Sequence, residues 1–242
     1  MSWRENFMMS LSKLYGKTRR AVEEFNMIQE GDHVAVAVSG GKDSLVMLYA
    51  LAGLRRVKNF TMSALLVDLG YESFNTDKIN DLCGSLDIPF HRIVTNIGHV
   101  IFEQRKEKNP CSMCAKMRKG SINKKAIELG CNKIAYGHHR DDFNDTLIMS
   151  MFNSGKLKTL EPAFPLSRTG LSLIRPLMYL KESEIIQLAQ TLDLPIEKNP
   201  CPADGKTARE TSKQLIASVK GKFPHSDDML FTIIKDNNYF IK

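Results

Sequence analysis

The sequence lacks long apolar runs, internal repeats and low-complexity linkers. Apolar stretches such as SALLV at 63–67 are far shorter than the roughly 20 residues that a membrane helix needs, so we expect no membrane segment. The first ten residues, MSWRENFMMS, carry Arg4 and Glu5 before any apolar stretch, which argues against a secretory signal. We therefore expect a cytoplasmic protein, and its 242 residues suit one sizeable core with small extensions.

Cysteine is also scarce. The chain has five cysteines, an odd number, and a chain of this length needs no disulfide staples, so we expect no disulfide framework. Cys83 and Cys131 have no partner at a motif spacing and lie in or beside apolar segments. We expect both to be buried packing residues.

The other three cysteines form a candidate site. Cys111 and Cys114 make a C-x-x-C within NPCSMCAKMRKG at 109–120, and Cys201 ends a second NPC at 199–201. A lone C-x-x-C fits a zinc knuckle, a redox pair or an iron–sulfur ligand. No second C-x-x-C or H-x-x-x-H completes a zinc site, and the charged stretch FEQRKEK at 102–108 disfavours a thioredoxin-like pair. Three thiols suggest an iron–sulfur cluster with one open iron, although the count alone does not decide it.

The charge is modestly basic, with 34 Lys and Arg against 27 Asp and Glu, a net charge of +7. A polyanionic partner such as RNA would explain an uneven distribution of cations, and solvated helix faces would explain it equally well. The basic clusters are Lys17, Arg19 and Arg20; Lys116, Arg118 and Lys119; Lys124 and Lys125; and Lys206, Arg209 and Lys213.

Strand-like and helix-like segments alternate along the chain, which predicts a doubly wound parallel α/β sheet with helical additions at both ends. The predicted strands are HVAVAV from His33, MSALLV at 62–67, FHRIV at 90–94, KIAYG at 133–137 and LSLIRPL at 171–177. The predicted helices are Trp3–Ile28, 45–54, Asp77–Leu86, Met117–Leu129, Asp141–Asn153, Glu182–Leu192 and Ala208–Lys220, with a short appendage after the last.

The segment SGGKDS lies between the first predicted strand and the helix that follows it. Adjacent glycines let the backbone approach a ligand closely, and a helix N-terminus favours an anion. The spacing is neither that of a Walker A loop nor that of a Rossmann loop. We expect a phosphate-binding loop rather than a capped turn, with a metal ion such as Mg²⁺ relieving the repulsion between Asp43 and a phosphate. Its candidate residues are Ser39, Gly40, Gly41, Lys42, Asp43 and Ser44.

A second polar cluster follows the fourth predicted strand, in GHHRDDFNDT from Gly137. The carboxyl ends of parallel strands face one crevice, so this cluster should meet the phosphate loop. Asp142 is our candidate Mg²⁺ ligand and a candidate catalytic residue, although acidic side chains in this position also complement a helix N-terminus. For His138 and His139 we favour simple surface positions.

These motifs resemble a known family. SGGKDS matches the S-G-G-x-D-S signature of the PP-loop ATP pyrophosphatases. Three further matches resemble the tRNA 2-thiocytidine synthetases, which place sulfur on cytidine 32 of the anticodon loop. They are NMI-x-x-GD at 26–32, GHHRDD-x-x-x-T at 137–146 and IRPL at 174–177. With the cysteine motif, the resemblance covers roughly residues 20 to 215.

The resemblance implies an adenine-nucleotide α-hydrolase fold and an enzyme that uses ATP to adenylate a cytidine O2 and releases pyrophosphate. It implies a [4Fe–4S] cluster held by Cys111, Cys114 and Cys201, which binds the incoming sulfur. It places Lys42, Asp43 and Asp142 in catalysis, with Mg²⁺, and Gly137 beside the nucleotide. The implied partners are a tRNA anticodon loop, sulfide or a cysteine desulfurase persulfide, and a second copy in a homodimer.

We divide the chain into a helical extension over 1–30, a PP-loop domain over 31–200 that carries the C-x-x-C, and a C-terminal helical segment over 201–242 that begins with the third cysteine. Two other readings stay open: thiolation or desulfuration of another tRNA nucleoside, and a zinc-stapled RNA-binding module that senses ATP. The metal content and the modified nucleoside distinguish them.

Overall fold

The computed structural model describes residues 3–71, 74–104, 110–197, 201 and 208–240. Its strands are β1 (His33–Val38), β2 (Thr61–Asp68), β3 (Phe90–Val94), β4 (Lys133–Ala135), β5 (Ala163–Pro165) and β6 (Ser172–Ile174). Its first helices are α1 (Trp3–Glu24), α2 (Lys42–Leu54), α3 (Asp77–Ser85) and α4 (Ile97–His99), which continues as a π-helical turn at Val100–Gln104. The later helices are α5 (Pro110–Glu128), α6 (Arg140–Ser154), α7 (Glu182–Thr191), α8 (Ala208–Lys222) and α9 (Ser226–Asp236).

The strands form one sheet in the order β3-β2-β1-β4-β6-β5. Every neighbouring pair is parallel except β5 and β6, which are antiparallel. The chain moves from β1 to β2 on one side and later places β4 on the other side of β1. The order therefore reverses between β1 and β4, and ligands of open α/β sheets bind at such a point.

Helices cover both faces of the sheet. Side chains alternate across a strand, so Val34, Val36 and Val38 of β1 pack in one core while Ala35 and Ala37 pack in the other. The larger core includes buried residues of α1, α2, α6, α7 and α9. The smaller core includes buried residues of α4 and α5. The doubly wound fold class predicted from the sequence is thus confirmed.

The structure corrects several predicted elements. The fifth strand predicted from the sequence, 171–177, corresponds to the sixth strand of the structure, β6. This strand ends at Ile174 because Pro176 has no N–H to donate to a neighbouring strand. The three-residue strand β5 was not predicted, and the expected appendage contains an 11-residue helix, α9. Helix α5 begins at Pro110 rather than Met117, and α1 ends at Glu24 rather than Ile28. The second Asn-Pro, at 199–200, lies outside the described residues.

An aromatic cluster fastens α9 and the following chain to the domain. Phe143 of α6 is fully buried, and its ring lies edge-on to Phe231 of α9 and to Phe240, with centroids 6.0 and 6.3 Å away. The ring of Phe240 also lies edge-on to Phe25, at 6.0 Å. Such pairs add about 0.5–1.5 kcal/mol each beyond the area that they bury. The cluster therefore joins the two ends of the chain through α6.

No helix among the described residues combines the length and the apolar character that crossing a bilayer requires.

The aromatic cluster yields a stability prediction. Phe143→Ala should lower the free energy of unfolding by about 3–5 kcal/mol, because the cavity borders several rings that cannot collapse into it. The control is Ile127→Ala, which truncates a side chain that is 50% exposed on α5 and should change stability by less than about 0.5 kcal/mol. Urea unfolding followed by circular dichroism measures both. Equal losses in the two variants would show that the cluster is not a packing centre.

Candidate active site

The phosphate loop turns tightly between β1 and α2. Gly40 has a φ of +84°, a conformation that suits glycine, and Gly41 is the N-cap of α2. The Ser44 hydroxyl accepts the Ser39 N–H at 3.1 Å and donates to the Gly41 carbonyl at 2.9 Å. The Ser39 hydroxyl in turn accepts the Gly41 N–H at 3.3 Å. The two serines thus hold the loop at a helix N-terminus, where anions bind.

Lys42 is held between two carboxylates. Its Nζ lies 3.2 Å from Asp43 Oδ1 and 3.0 Å from Glu182 Oε1 at the start of α7. Burial opposes the charge, but Asp43 and Glu182 outweigh it and raise the pKa of Lys42. Lys42 therefore keeps its positive charge beside the loop.

Gly137 lets the end of β4 touch the phosphate loop. A Cβ at this position would lie 3.0 Å from the carbonyl carbon and oxygen of Asp43 and 3.1 Å from the Ser44 nitrogen. Those neighbours are backbone atoms and cannot swing aside. The predicted contact between the two clusters is therefore present, and it depends on a residue without a side chain.

His139 lies at the centre of the second cluster, where the prediction of a surface position is wrong. It is only 4% exposed. Its Nε2 is 3.6 Å from both Asp43 Oδ1 and Asp142 Oδ2, and its Nδ1 is 3.4 Å from Asp141 Oδ2. Burial favours the neutral ring, but the three acids outweigh it and raise the pKa of His139. The ring links the phosphate loop to the start of α6.

Asp142 and Asp43 are the candidate Mg²⁺ ligands. Asp142 Oδ2 accepts a hydrogen bond from the backbone N–H of His139 at 2.9 Å, which closes the first turn of α6. Asp43 Oδ1 is buried and accepts no hydrogen bond from the described residues, while Lys42 Nζ lies 3.2 Å and His139 Nε2 3.6 Å from it. The described residues contain no group of three His, Cys, Asp or Glu side chains arranged to hold a metal ion. Mg²⁺ does not need such a group, since one or two carboxylates with substrate phosphates hold it.

Cys111 and Cys114 lie in the first turn of α5, behind Pro110, which suits the first helical position. Cys111 is exposed, while Cys114 and Cys201 are half-buried, and none of the three forms a disulfide. Burial raises the pKa of the Cys114 thiol, Arg118 opposes this, and the thiols of Cys201 and Cys111 add to the rise. Cys201 is thus close enough to act on Cys114 electrostatically. Three thiols are the donors that an iron–sulfur cluster uses, although the described residues do not gather them into a group arranged to hold a metal ion.

The other two cysteines are packing residues, as predicted. Cys83 and Cys131 are both buried, and burial alone raises the pKa of each thiol to about 11. Neither is therefore a ready source of thiolate at neutral pH.

One cleft lies between the phosphate loop and α5, which we call the cysteine helix because it carries Cys111 and Cys114. It is lined by Ser39, Val67, Asp68, Leu69, Tyr71, Phe74 and Arg118. Ser39 begins the loop, and Arg118 lies four residues after Cys114 on α5. The phosphate loop and the cysteine helix therefore border the same small cavity of about 20 Å³ at the carboxyl ends of β1 and β2.

The structure adds functional candidates that sequence reasoning missed. Asp68 ends β2 in the cleft, is 3% exposed and accepts Arg92 Nε at 2.9 Å. Its signal was available, since an acid that ends a buried apolar strand faces the crevice. Arg175, only 5% exposed, donates to His138 Nδ1 at 3.2 Å. Glu182 offered no signal, because its partner Lys42 is remote in the chain.

The basic clusters divide into paired and unpaired groups. Lys17, Arg19, Arg20, Lys125 and Lys213 each form an ion pair with a glutamate. Four cations of α5 have no ion pair with any described residue: Lys116, Arg118, Lys119 and Lys124. Lys206 and the side chain of Arg209 lie outside the described residues. Among the described members of these clusters, those on α5 therefore carry the positive charge that no acidic side chain neutralises.

The chain is similar to known proteins over most of its length. A family described as the PP-loop domain matches residues 7–217. The tRNA-cytidine(32) 2-sulfurtransferase of Pelobacter propionicus is 38% identical over 211 residues, 85% of this chain and 78% of the relative. The enzyme of the same name from Aliivibrio salmonicida is 33% identical over 236 residues, 96% of this chain and 77% of the relative.

A solved structure has the same fold. The U34-tRNA thiolase NcsA from Methanococcus maripaludis, solved with its [4Fe–4S] cluster, superposes with a TM-score of 0.79 and 24% sequence identity. The match covers 98% of this chain and 81% of that one. With the family match and the relatives, this places the chain in the PP-loop family and, within it, among the tRNA-cytidine(32) 2-sulfurtransferases, as its sequence motifs indicate.

Proposed function

We propose that this protein uses ATP to replace O2 of a cytidine in tRNA, at position 32, with sulfur. The observation that supports the proposal is the shared cleft, which Ser39 of the phosphate loop and Arg118 of α5 both line. A base bound between the loop and α5 would have the nucleotide on one side and the helix that carries Cys111 and Cys114 on the other. The relatives named above act on this nucleoside, which supports the choice of base.

ATP would bind with its phosphates at the N-terminus of α2. The backbone N–H groups of the loop, the Ser39 and Ser44 hydroxyls and the Lys42 ammonium are the donors that suit phosphate oxygens. Asp43 and Asp142 would hold Mg²⁺, whose chemistry when bound is to neutralise charge on the phosphates. The base O2 would attack the α-phosphorus, and pyrophosphate would leave.

Cys111, Cys114 and Cys201 would hold the [4Fe–4S] cluster. When bound, the cluster would supply a coordination position for incoming sulfur, drawn from sulfide or from a cysteine desulfurase persulfide. Sulfur replaces the adenylated oxygen at C2, and AMP leaves with that oxygen. Arg118 acts to lower the pKa of the Cys114 thiol, against the larger effect of burial, and its charge would favour an approaching RNA phosphate at the cleft that it lines.

Helix α5 is the surface that we assign to the anticodon loop. Its unpaired cations follow the exposed Cys111 along the same helix, and lysine and arginine contacts to phosphate supply most of the affinity for RNA. An anticodon loop also offers unstacked bases that a cleft can admit. An enzyme that acts on tRNA would work in the cytoplasm, where we propose that this protein lies.

Removal of one cluster cysteine tests the function. In a bacterial strain that lacks 2-thiocytidine, the parent chain should restore this nucleoside. Cys201→Ala should abolish both 2-thiocytidine and bound iron while ATP affinity changes less than about twofold, because the loop is intact. Cys131→Ala, which removes a buried packing thiol, is the control and should retain both. Nucleoside mass spectrometry and iron and sulfide determination on anaerobically purified protein give the readouts.

Three results would contradict the assignment. Retention of the cluster in Cys201→Ala would remove Cys201 from the ligand set. A colourless protein with stoichiometric zinc and no iron would favour the zinc-stapled module. Unchanged tRNA 2-thiocytidine, with a change in another nucleoside, would assign a different base.

The contact at Gly137 yields a second prediction, on ATP binding. Gly137→Ala should weaken MgATP binding about tenfold or more, because an overpacked backbone contact costs about 1–3 kcal/mol and displaces the loop. Gly84→Ala is the matched control, since a Cβ there meets nothing within 4 Å and alanine favours the helix. Isothermal titration with MgATP compares them. Equal affinity in both variants would show that this contact does not shape the loop.

A homodimer completes the proposal. Helices α6, α8 and α9 form one apolar groove. Single exposed apolar side chains are common on protein surfaces, but contiguous apolar patches of this kind mark interfaces. Its exposed residues are Met151, Phe152, Leu215, Val219, Phe223, Met229 and Ile233. A two-fold axis would cover this groove with the same surface of a second copy.

Light scattering during gel filtration tests the dimer. The parent should elute at about twice its 27.3 kDa chain mass, and Phe152→Asp should elute as a monomer because a charge in an apolar interface is costly. Val57→Asp is the control, because Val57 is 75% exposed and lies outside the groove. A dimeric Phe152→Asp would locate the interface elsewhere.

A further inference from the structure

Glu182 joins three parts of the candidate site. Its backbone N–H donates to Asp141 Oδ2 at 2.7 Å, which holds the start of α7 against the second cluster. Its carboxylate receives Lys42 Nζ at 3.0 Å on one oxygen and Lys213 Nζ at 2.9 Å on the other. One carboxylate thus bridges the phosphate-loop lysine and a lysine of α8.

Described residues on both sides of Cys201 in the chain are linked to the phosphate loop, Glu197 before it and Lys213 after it. Before Cys201, the Glu197 N–H donates to the Gly40 carbonyl at 3.0 Å. After Cys201, α8 brings Lys213 to Glu182 and through it to Lys42. The two ties reach adjacent parts of one loop, because Gly40 and Lys42 are two residues apart.

Binding of an anion at the loop must alter the second tie. The Lys42 ammonium has three N–H donors, and it donates hydrogen bonds to the carboxylates of Asp43 and Glu182. A phosphate that approaches Lys42 competes with Glu182 for the ammonium and repels its carboxylate. Lys213 is then the remaining positive charge beside Glu182, so the ion pair between Glu182 and Lys213 of α8 becomes stronger.

We propose that Glu182 is a positioning residue that transmits occupancy of the phosphate loop to the segment carrying Cys201. Through it, ATP binding and the placement of the third cysteine become coupled. The inference rests on the proposed function in one respect, that the ligand of the loop is ATP. It adds a dependence between two parts of the reaction, since the tie between Glu182 and Lys213, near the third thiol in the chain, is stronger when the nucleotide is bound.

Thiol labelling of the full-length, iron-free chain tests the coupling without the cluster or tRNA. Iodoacetamide modification of Cys201 is followed by peptide mass spectrometry with and without saturating MgATP. In the parent, MgATP should slow labelling about fivefold or more, the lower end of common coupling between two sites. In Glu182→Gln and in Lys213→Met, the ratio of the two rates should fall to about one.

Two comparisons separate coupling from damage to the loop. Lys213→Met should weaken MgATP binding by no more than about the same fivefold factor, because coupling is reciprocal, and a larger loss would indicate damage to the loop. Glu23→Gln is the control, since Glu23 pairs with Arg19 on exposed α1 and should retain the parent's protection by MgATP. If Glu182→Gln does not fold, Lys213→Met decides the outcome alone.

The coupling is refuted if MgATP protects Cys201 equally in Lys213→Met and the parent, or protects it in neither. That result leaves the thiolation proposal standing, which nucleoside analysis tests separately. A parent that protects Cys201 with MgATP but forms no 2-thiocytidine would retain the coupling and overturn the function.

Discussion

The site depends on one close backbone contact, where Gly137 after β4 meets the carbonyl of Asp43 and the nitrogen of Ser44. The contact lies at the point where the strand order reverses, between β1 and β4. There the helices that follow two neighbouring strands diverge to different sides, and a crevice opens. A side chain at Gly137 would separate the two strand ends. The phosphate loop and the acidic start of α6 are adjacent because this one residue has none.

Around that contact, alternating charges hold the crevice in shape. His139 lies among three aspartates, and Lys42 lies between Asp43 and Glu182. At four of these groups the opposite charges outweigh burial: they raise the pKa of His139 and of Lys42 and lower that of Asp141 and of Glu182. Paired charges in a partly buried site are rigid, since removing one partner leaves the other uncompensated. The network therefore orders the loop without a ligand.

Much of the fold was predictable because the parallel strands are short, apolar and bounded by turns. HVAVAV and FHRIV were predicted at their observed bounds, and α2, α3, α6 and α7 were predicted to within three residues. Strand β5 was missed because Ala163–Pro165 contains a proline and has no alternating pattern. The predicted start of α5, Met117, is seven residues late, although proline suits the first helical turn. His139 was placed on the surface because nothing in a run of polar residues shows which side chain points inward.

The sequence by itself determined the local chemistry: a glycine-rich loop after a strand, a C-x-x-C beside lysines and arginines, and the motifs of one family. These are short-range patterns, and covalent spacing and strand periodicity suffice to interpret them. Only the tertiary structure decided which of these groups share a space. It placed Arg118 and Ser39 on one cleft, buried His139 among acids and set Glu182 between Lys42 and Lys213. Such contacts join residues far apart in the chain, and they form because the order of strands, not the order of residues, sets which strand ends meet.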